Sequence, residues 1–381
     1  MKSVSTADVL IIGLGAMGSA AAYHLARSGQ RVLGLEQFTE AHDRGSSHGR
    51  SRIIREAYFE HPDYVPLLRR AYDLWETLQR EGGPRLLLPT GGVMIGPEPG
   101  VLVQGALTSA RRHALAHELL DGRAVRQRYP AFAVAEDTVA VWEPRAGVLF
   151  PELGILAHLR EATRSGAVLQ FEEQVVSWEA HEGGVEVRTD KATYAAGHLI
   201  ITAGPWAVAV LADLGLPLRV ERNVMYWFRP DDPHAFQPGR FPIYIYEYQP
   251  DAFIYGFPQV EPDGVKVAHH HSGEFGTPET IRRDITPDEI ERMRGILTRT
   301  VPGLNGELVH AVTCMYTNTP DGHFIIDRHP HHDRVTLACG FSGHGFKFAP
   351  VVGEILAELA IHGHTRHPIA LFRLGRFGAP A

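Results

Sequence analysis

The chain is 381 residues long, and at about 150 residues per domain that length suggests two to three domains. Its residues are 44% hydrophobic and 21% charged, the balance of a packed soluble globule rather than of a disordered, collagenous or fibrous chain. A formal net charge of −7 offers no overall positive field for nucleic acid. Only two cysteines, Cys314 and Cys339, exclude a disulfide scaffold and fit a reducing compartment.

The charge-free stretch at 9–26 carries spaced glycines and serines, Tyr23 and His24. A signal core or a membrane span of about 20 apolar residues is not written there. The chain ends Gly378-Ala379-Pro380-Ala381, without a peroxisomal tripeptide, so a cytoplasmic location is the default expectation. Residues 8–13 read as a short buried strand, 16–28 as a closely packed helix ending at Gly29, and 31–36 as the next strand, a βαβ unit. The spacing predicts an amphipathic helix over 63–80, with Asp63 near its start and a break at Gly82, Gly83 and Pro84. Short strand pieces such as 92–96 surround a helical stretch at 104–119, and a helix at 152–165 precedes the strand-like runs 168–171 and 184–188. A buried strand over 198–204 ends in a glycine turn. Aromatic runs at 224–228 and 253–257 predict a second, antiparallel sheet over 219–272. Thr286-Pro287-Asp288-Glu289 starts a helix running to 300, and after Cys314 the pattern is strand, loop and a last helix at 349–362. The expected class is α/β. A Rossmann-like nucleotide domain (1–84, 145–218 and 310–381) is interleaved with an antiparallel-sheet substrate domain (85–144 and 219–309).

Gly13-Leu14-Gly15-Ala16-Met17-Gly18 matches G-x-G-x-x-G between a strand and a helix. Gly13 permits the tight turn, Gly15 lets the backbone approach a pyrophosphate, and Gly18 allows close helix packing. Glu36, 18 residues after Gly18, is placed to accept from ribose hydroxyls, which favours NAD or FAD over NADP without separating the two. Two further segments look built for the same cofactor. One is Thr202-Ala203-Gly204-Pro205-Trp206. The other runs from Cys339 through Gly340, Gly343 and Gly345 to Lys347, where glycines admit a flat ring and the following helix start favours a negative ring edge.

Together with the fingerprint, Ser46-Ser47-His48-Gly49, Arg52-Ile53-Ile54-Arg55, Cys314-Met315-Tyr316-Thr317 and Gly343-His344-Gly345-Phe346-Lys347 resemble the monomeric sarcosine oxidase family, with its N-methyltryptophan and pipecolate oxidase relatives, over about residues 8–375. The resemblance implies a monomeric, FAD-dependent amine oxidase of the D-amino-acid-oxidase-like superfamily. Its partners would be a small amino-acid substrate and O2, with no nucleic acid and no membrane. Hydride would pass from a secondary (N-methyl) amino acid to the flavin, and O2 would be reduced to H2O2. An L-pipecolate/proline or N-methyltryptophan oxidase, a related dehydrogenase feeding a carrier, and a non-catalytic FAD-binding protein stay as alternatives.

By the same resemblance, the flavin is held by Gly13, Gly15, Met17, Gly18, Glu36, Ser46, Arg52, Ala203, Gly204, Trp206, Gly343, His344, Gly345 and Lys347. Cys314 would form a thioether to it, its thiolate attacking the electron-poor ring methyl. Arg52 would lie against the flavin face, and Arg55 with Lys347 would hold the substrate carboxylate. Lys266 would stand near the reactive nitrogen as a fixed cation for oxygen activation, His270 in the active site, and Tyr255 and Tyr316 along the cavity wall. Plainer readings are a solvated basic loop for the arginines, a solvent-facing strand lysine, core aromatics, and a buried free thiol. The thiol reading is the one given to Cys339. Arg50 departs from the family pattern and its role is open. Of 22 histidines, the groups His269-His270-His271 and His329-Pro330-His331-His332 show no complete ligand set, so no metal is expected. Strand alternation sets His270 on one face and His269 and His271 on the other.

Overall fold

In the computed structural model, which describes residues 5–81 and 83–378, the apolar N-terminal run Ser5–Ile12 is the middle of a parallel sheet. It pairs in parallel with Val32–Leu35 on one side and Thr193–Ile201 on the other. Val168–Gln170 and Val335–Cys339 extend the sheet outward. Continuous Val, Leu and Ile runs suit strands covered on both faces. The helix Ala16–Arg27 is buried along nearly its whole length. Its alanines let the helices Pro151–Arg164 and Ala349–His362 approach closely, and a Cβ added at Gly353 would stand 2.5 Å from the Ala20 backbone.

A second sheet of nine strands is built around Arg219–Phe228, which pairs with Val265–His270, Glu274–Gly276 and Leu308–Asn318. It continues through Ala252–Gly256, Ile243–Gln249, Gly92–Pro97, Thr138–Glu143 and Glu118–Asp121. The sheet is antiparallel except where Ile243–Gln249 runs parallel to Gly92–Pro97. Alternation divides its faces. Tyr226, Phe228, Tyr244 and Tyr246 pack with Phe132, Phe236 and Phe241 beneath the helix Pro287–Thr300. Met225, Trp227, Ala268 and Cys314 form a separate cluster on the opposite face. A three-stranded sheet of Arg52–Ile54, Gly147–Leu149 and Leu87–Pro89 lies apart from both, and Val175–His181, Gly184–Thr189 and Ile325–Arg328 add antiparallel strands to the first sheet.

The helix expected at 286–300 has a full capping box, with Thr286 and Glu289 bonding each other's backbone. The helix expected over 104–119 is instead Val101–Arg112. Ala114 turns left-handed (φ 50°) and ends it, and Glu118–Asp121 becomes an edge strand on Thr138–Glu143. The strand Leu308–Asn318 belongs throughout to the nine-stranded sheet, so a division at 310 would cut it. The expected break at Gly82 and the terminal residues 379–381 lie outside the described residues. No helix among the described residues is long and apolar enough to cross a membrane.

Candidate active site

The carboxyl ends of the parallel strands open into one long cleft, the position at which α/β sheets bind nucleotides. Gly13 has φ +87°, and a Cβ there would lie 2.6 Å from the Thr202 carbonyl oxygen; one on Gly18 would lie 1.8 Å from the Gly13 oxygen. Both glycines are demanded by the protein's own packing. Gly15 is different. Its nearest neighbour would be Ser47 Oγ at 3.8 Å, so the room it leaves opens onto the cleft at a helix start that no side chain caps. Glu36 Oε2 accepts from Leu14 N–H at 2.9 Å and Oε1 from Phe38 N–H at 3.1 Å, leaving lone pairs of the carboxylate for a ribose. Met17, Ser46, Arg52, Ala203, Gly204, Trp206, Gly343 and Gly345 line the same cleft, whereas Gly18 lies beneath its floor. The Trp206 indole is fixed by a bond to Glu279 Oε1 (2.9 Å) and by Phe38.

At one end of the cleft Arg52 donates to the carbonyls of Ser46 (3.0 Å) and Ser51 (2.9 Å), and its Nη2 stands 3.8 Å from Cys314 Sγ. Cys314 is 2% exposed, on the strand Leu308–Asn318. Lys266 points inward as its alternating flanks predict. Its Nζ donates to the carbonyls of Gly49 (2.7 Å) and Ser51 (2.8 Å) and lies over the rings of Trp227 and Phe257. Burial, followed by the neighbouring Arg52 charge, holds its pKa well below the ordinary lysine value. The loop is pinned from behind by Glu152 Oε1, which accepts from Gly49 N–H (2.7 Å) and Arg50 N–H (3.0 Å). Arg50 turns outward, left-handed at φ 65°, to pair with Glu261 at 2.8 Å. Near these groups, His48 Nε2, Ser51 Oγ, the Asn223 amide, Trp227 Nε1 and Thr317 Oγ1 are buried without a partner among the described residues. Such orphans are costly, and of these residues Thr317 lines the cleft, where a polar cofactor would meet its need.

The second pocket residues gather around Tyr316, itself on the cleft wall. Gly343 has φ +78°, and a Cβ on it would fall 2.3 Å from the Tyr316 ring, so glycine is required twice over. Burial, then the neighbouring Tyr255, raises the pKa of Tyr316, and the His270 ring lies 5.7 Å from that of Tyr316 and 6.5 Å from that of Tyr255. His270 lies against Tyr316, and His271, expected on the opposite face of the strand, is not there. It leaves the strand at φ 69°, its ring 4.3 Å from His270 and its Nδ1 on Glu221. Arg55, 2% exposed, is cradled by its own loop. Nη1 donates to Ala57 O (3.0 Å), Nη2 to both oxygens of Glu60 (2.8 and 2.7 Å), and the guanidinium lies over Tyr58 and Phe59. Its Nε has no partner among the described residues. Lys347 Nζ donates to His344 O at 2.7 Å, and burial, then Arg55, lowers its pKa to about 7. His344 is bonded at Nδ1 to Tyr58 Oη (2.5 Å) and at Nε2 to Gly322 O (2.9 Å), and burial holds its pKa near 4. Burial, then His271, likewise keeps His270 neutral. The pocket therefore sets two cations, Arg55 and Lys347, against the single carboxylate of Glu60, and can accept one more anion.

The profile of the family described as FAD dependent oxidoreductase matches residues 8–359. The chain belongs to this family. It is 51% identical over 378 residues to monomeric sarcosine oxidase of Streptomyces avermitilis, covering 98% of each chain. To N-methyl-L-tryptophan oxidase of Yersinia pestis it is 34% identical over 372 residues, covering 97% of this chain and 99% of that one. In fold it matches NikD, an amino acid oxidase of nikkomycin biosynthesis, with a TM-score of 0.85 and 24% identity over 97% of this chain and 98% of that one.

Sequence reasoning placed Thr202 in a cofactor segment without its bond, and gave Glu60, Tyr58 and Glu152 of this FAD-dependent oxidoreductase no role. Thr202 Oγ1 donates to the Gly13 carbonyl at 2.8 Å and locks the fingerprint turn; its place before the glycine turn was the available signal. Glu60, Tyr58 and Glu152 carry no motif. Among the histidines, the fold brings Asp213 to His329 and His332, a donor set invisible in the sequence because Asp213 is 116 residues away. Both nitrogens of His329 are already engaged, Nε2 with Asp213 (2.8 Å) and Nδ1 with His331 N–H (3.2 Å), so an ion there would have to break one of these bonds.

Proposed function

We propose that this enzyme is an oxidase of secondary, N-methylated amino acids, of which sarcosine is the representative, using FAD attached through Cys314 and O2 as acceptor. The observation that carries the reading is the buried cluster in which Arg55 and Lys347 outnumber Glu60 near the neutral His270, set behind the Tyr316 ring that lines the nucleotide cleft. The 51% identity to a monomeric sarcosine oxidase supports the same substrate class.

The first helix start, Gly13, Gly15, Met17 and Glu36 would hold the nucleotide half of FAD. Ser46, Arg52, Ala203, Gly204, Trp206 and residues 343–347 would hold the ring half. Bound there, FAD supplies the two-electron acceptor for the amine and the donor for O2. The chain's own groups do the rest. Arg55 and Lys347 take the substrate carboxylate and so place the amine among His270, Tyr255 and Tyr316, whose rings exclude water. With His270 neutral, the amine is free to sit there uncharged, the form that gives up hydride. Lys266, fixed on two carbonyls, keeps an N–H donor in a dry site for oxygen, and Arg52 stands 3.8 Å from the Cys314 sulfur that would carry the flavin. A nucleotide domain of 1–84, 145–218 and the segment after Asn318 is proposed, with the remainder forming the substrate domain, in a monomer working in the cytoplasm.

The test is a peroxide-coupled screen of the purified yellow protein with sarcosine, N-methyltryptophan, pipecolate and proline. Peroxide from an N-methyl amino acid is expected, with colour retained in the acid-precipitated protein. Turnover seen only with an artificial electron acceptor would overturn the oxidase reading, and flavin released by acid would overturn the bond to Cys314.

A further inference from the structure

The strand Thr138–Glu143 ends on a buried carboxylate to which the mechanism above gives no task. Glu143 is 1% exposed, and its bonds go to backbone: Oε1 accepts from Glu56 N–H and Oε2 from Ala57 N–H, both at 2.7 Å. Ala57 is also the residue whose carbonyl accepts from Arg55 Nη1 at 3.0 Å. One residue is thus gripped from both ends, by Glu143 at its N–H and by Arg55 at its carbonyl. The next three residues supply the two rings beneath the guanidinium and the carboxylate that pairs with it.

We propose that Glu143 is a positioning residue for the substrate-carboxylate site, holding the turn at 56–57 and through it the Arg55 guanidinium. The proposal rests on the function proposed above. Burying a carboxylate without a paired cation carries a high desolvation cost. The anion is kept because only an ionised carboxylate offers an acceptor to both donors. A carboxyl proton would meet an N–H and release it. Burial pushes the Glu143 pKa up to about 7 against the pull of the two N–H bonds, with the Glu56 charge adding to the rise and Arg55 opposing it. The other polar groups at this spot are Arg145, paired with Glu56 at 2.7 Å, and Tyr72, whose hydroxyl donates to the Arg145 carbonyl. The clamp is therefore complete above about pH 7 and loosens below it.

The experiment is steady-state kinetics of the holoenzyme with sarcosine, wild type against Glu143→Gln, across pH. The amide keeps one acceptor and turns an NH2 toward the second donor. KM is expected to rise about tenfold, the equivalent of one charge-assisted bond lost, with kcat changed less than about threefold. The acid limb of the 1/KM profile should disappear. In an Arg55→Ala background the same substitution should change KM less than about twofold, because its effect runs through Arg55. Equal losses in kcat and KM with the acid limb intact, or an undiminished effect without Arg55, would overturn the proposal. If Glu143→Gln does not fold, deuterium exchange of the 55–60 segment in wild type decides. Protection corrected for intrinsic rate should fall about fivefold or more between pH 8 and pH 6, and unchanged protection overturns the clamp. A wild-type enzyme that turns over no N-methyl amino acid refutes the functional reading instead, and the exchange result then judges the clamp alone.

Discussion

Replacing Lys347 with methionine removes one cation from the carboxylate pocket while keeping the length of the side chain. Its ammonium has three donors, of which one is given to His344 O, leaving two for a ligand. Losing a hydrogen bond to a charged partner costs about 1.5–3 kcal/mol, and about 1.4 kcal/mol is tenfold, so KM for sarcosine should rise roughly 10- to 150-fold. The pH dependence follows from the same residue. Burial and Arg55 have brought its pKa down to about 7, so the charge is present below that pH and lost above it. Wild-type affinity should accordingly weaken on the alkaline side, and Lys347→Met should lack that limb. The assay is peroxide formation with sarcosine and with sarcosinamide, which keeps the N-methylamine but replaces the carboxylate. The loss should appear with the acid and be nearly absent with the amide. An equal loss with both, or an alkaline limb surviving in Lys347→Met, would refute the assignment.

Gly343→Ala should destabilise the protein by at least about 1–2 kcal/mol, read as a lower Tm, because its φ of +78° strains any side chain and its Cβ would strike the Tyr316 ring. Lys266→Met should slow flavin reoxidation by O2 about tenfold or more in stopped flow while leaving anaerobic reduction by substrate little changed. Glu354 accepts from Arg70, Arg366 and His367, and the Arg70 and His367 bonds hold its pKa below the ordinary carboxylate value against burial. A depressed carboxylate stabilises the fold above its unfolded pKa. Glu354→Gln should therefore lower Tm by a few degrees at neutral pH, with the gap from wild type narrowing as the medium is acidified through the folded pKa.

What could be read beforehand was set by local demands. Gly13 and Gly18 are legible because a left-handed turn and a tight helix approach leave no other residue type, and the Thr286 capping box because both partners lie three residues apart. Lys266 is legible as buried because it sits within the apolar run Val265–Ala268, a strand covered on both faces. The pocket's charge balance was not legible. Glu60 follows Arg55 by five residues in a loop with no regular period, and only the curl of 56–60 brings it back onto the guanidinium. The helix expected at 104–119 ends at Arg112, because the apolar spacing that continues past Ala114 lies on backbone that has already turned. His271 was misplaced for the same reason, since alternation stops at the strand end. Asp213 beside His329 and Glu143 beneath Ala57 are contacts between distant segments that no spacing announces.

Anaerobic titration of the purified holoenzyme with sarcosine, followed by admission of air, tests the central claim most directly. The account predicts that sarcosine bleaches the visible flavin absorbance and that air restores it with stoichiometric hydrogen peroxide. A flavin that sarcosine and other N-methyl amino acids leave oxidised would contradict it.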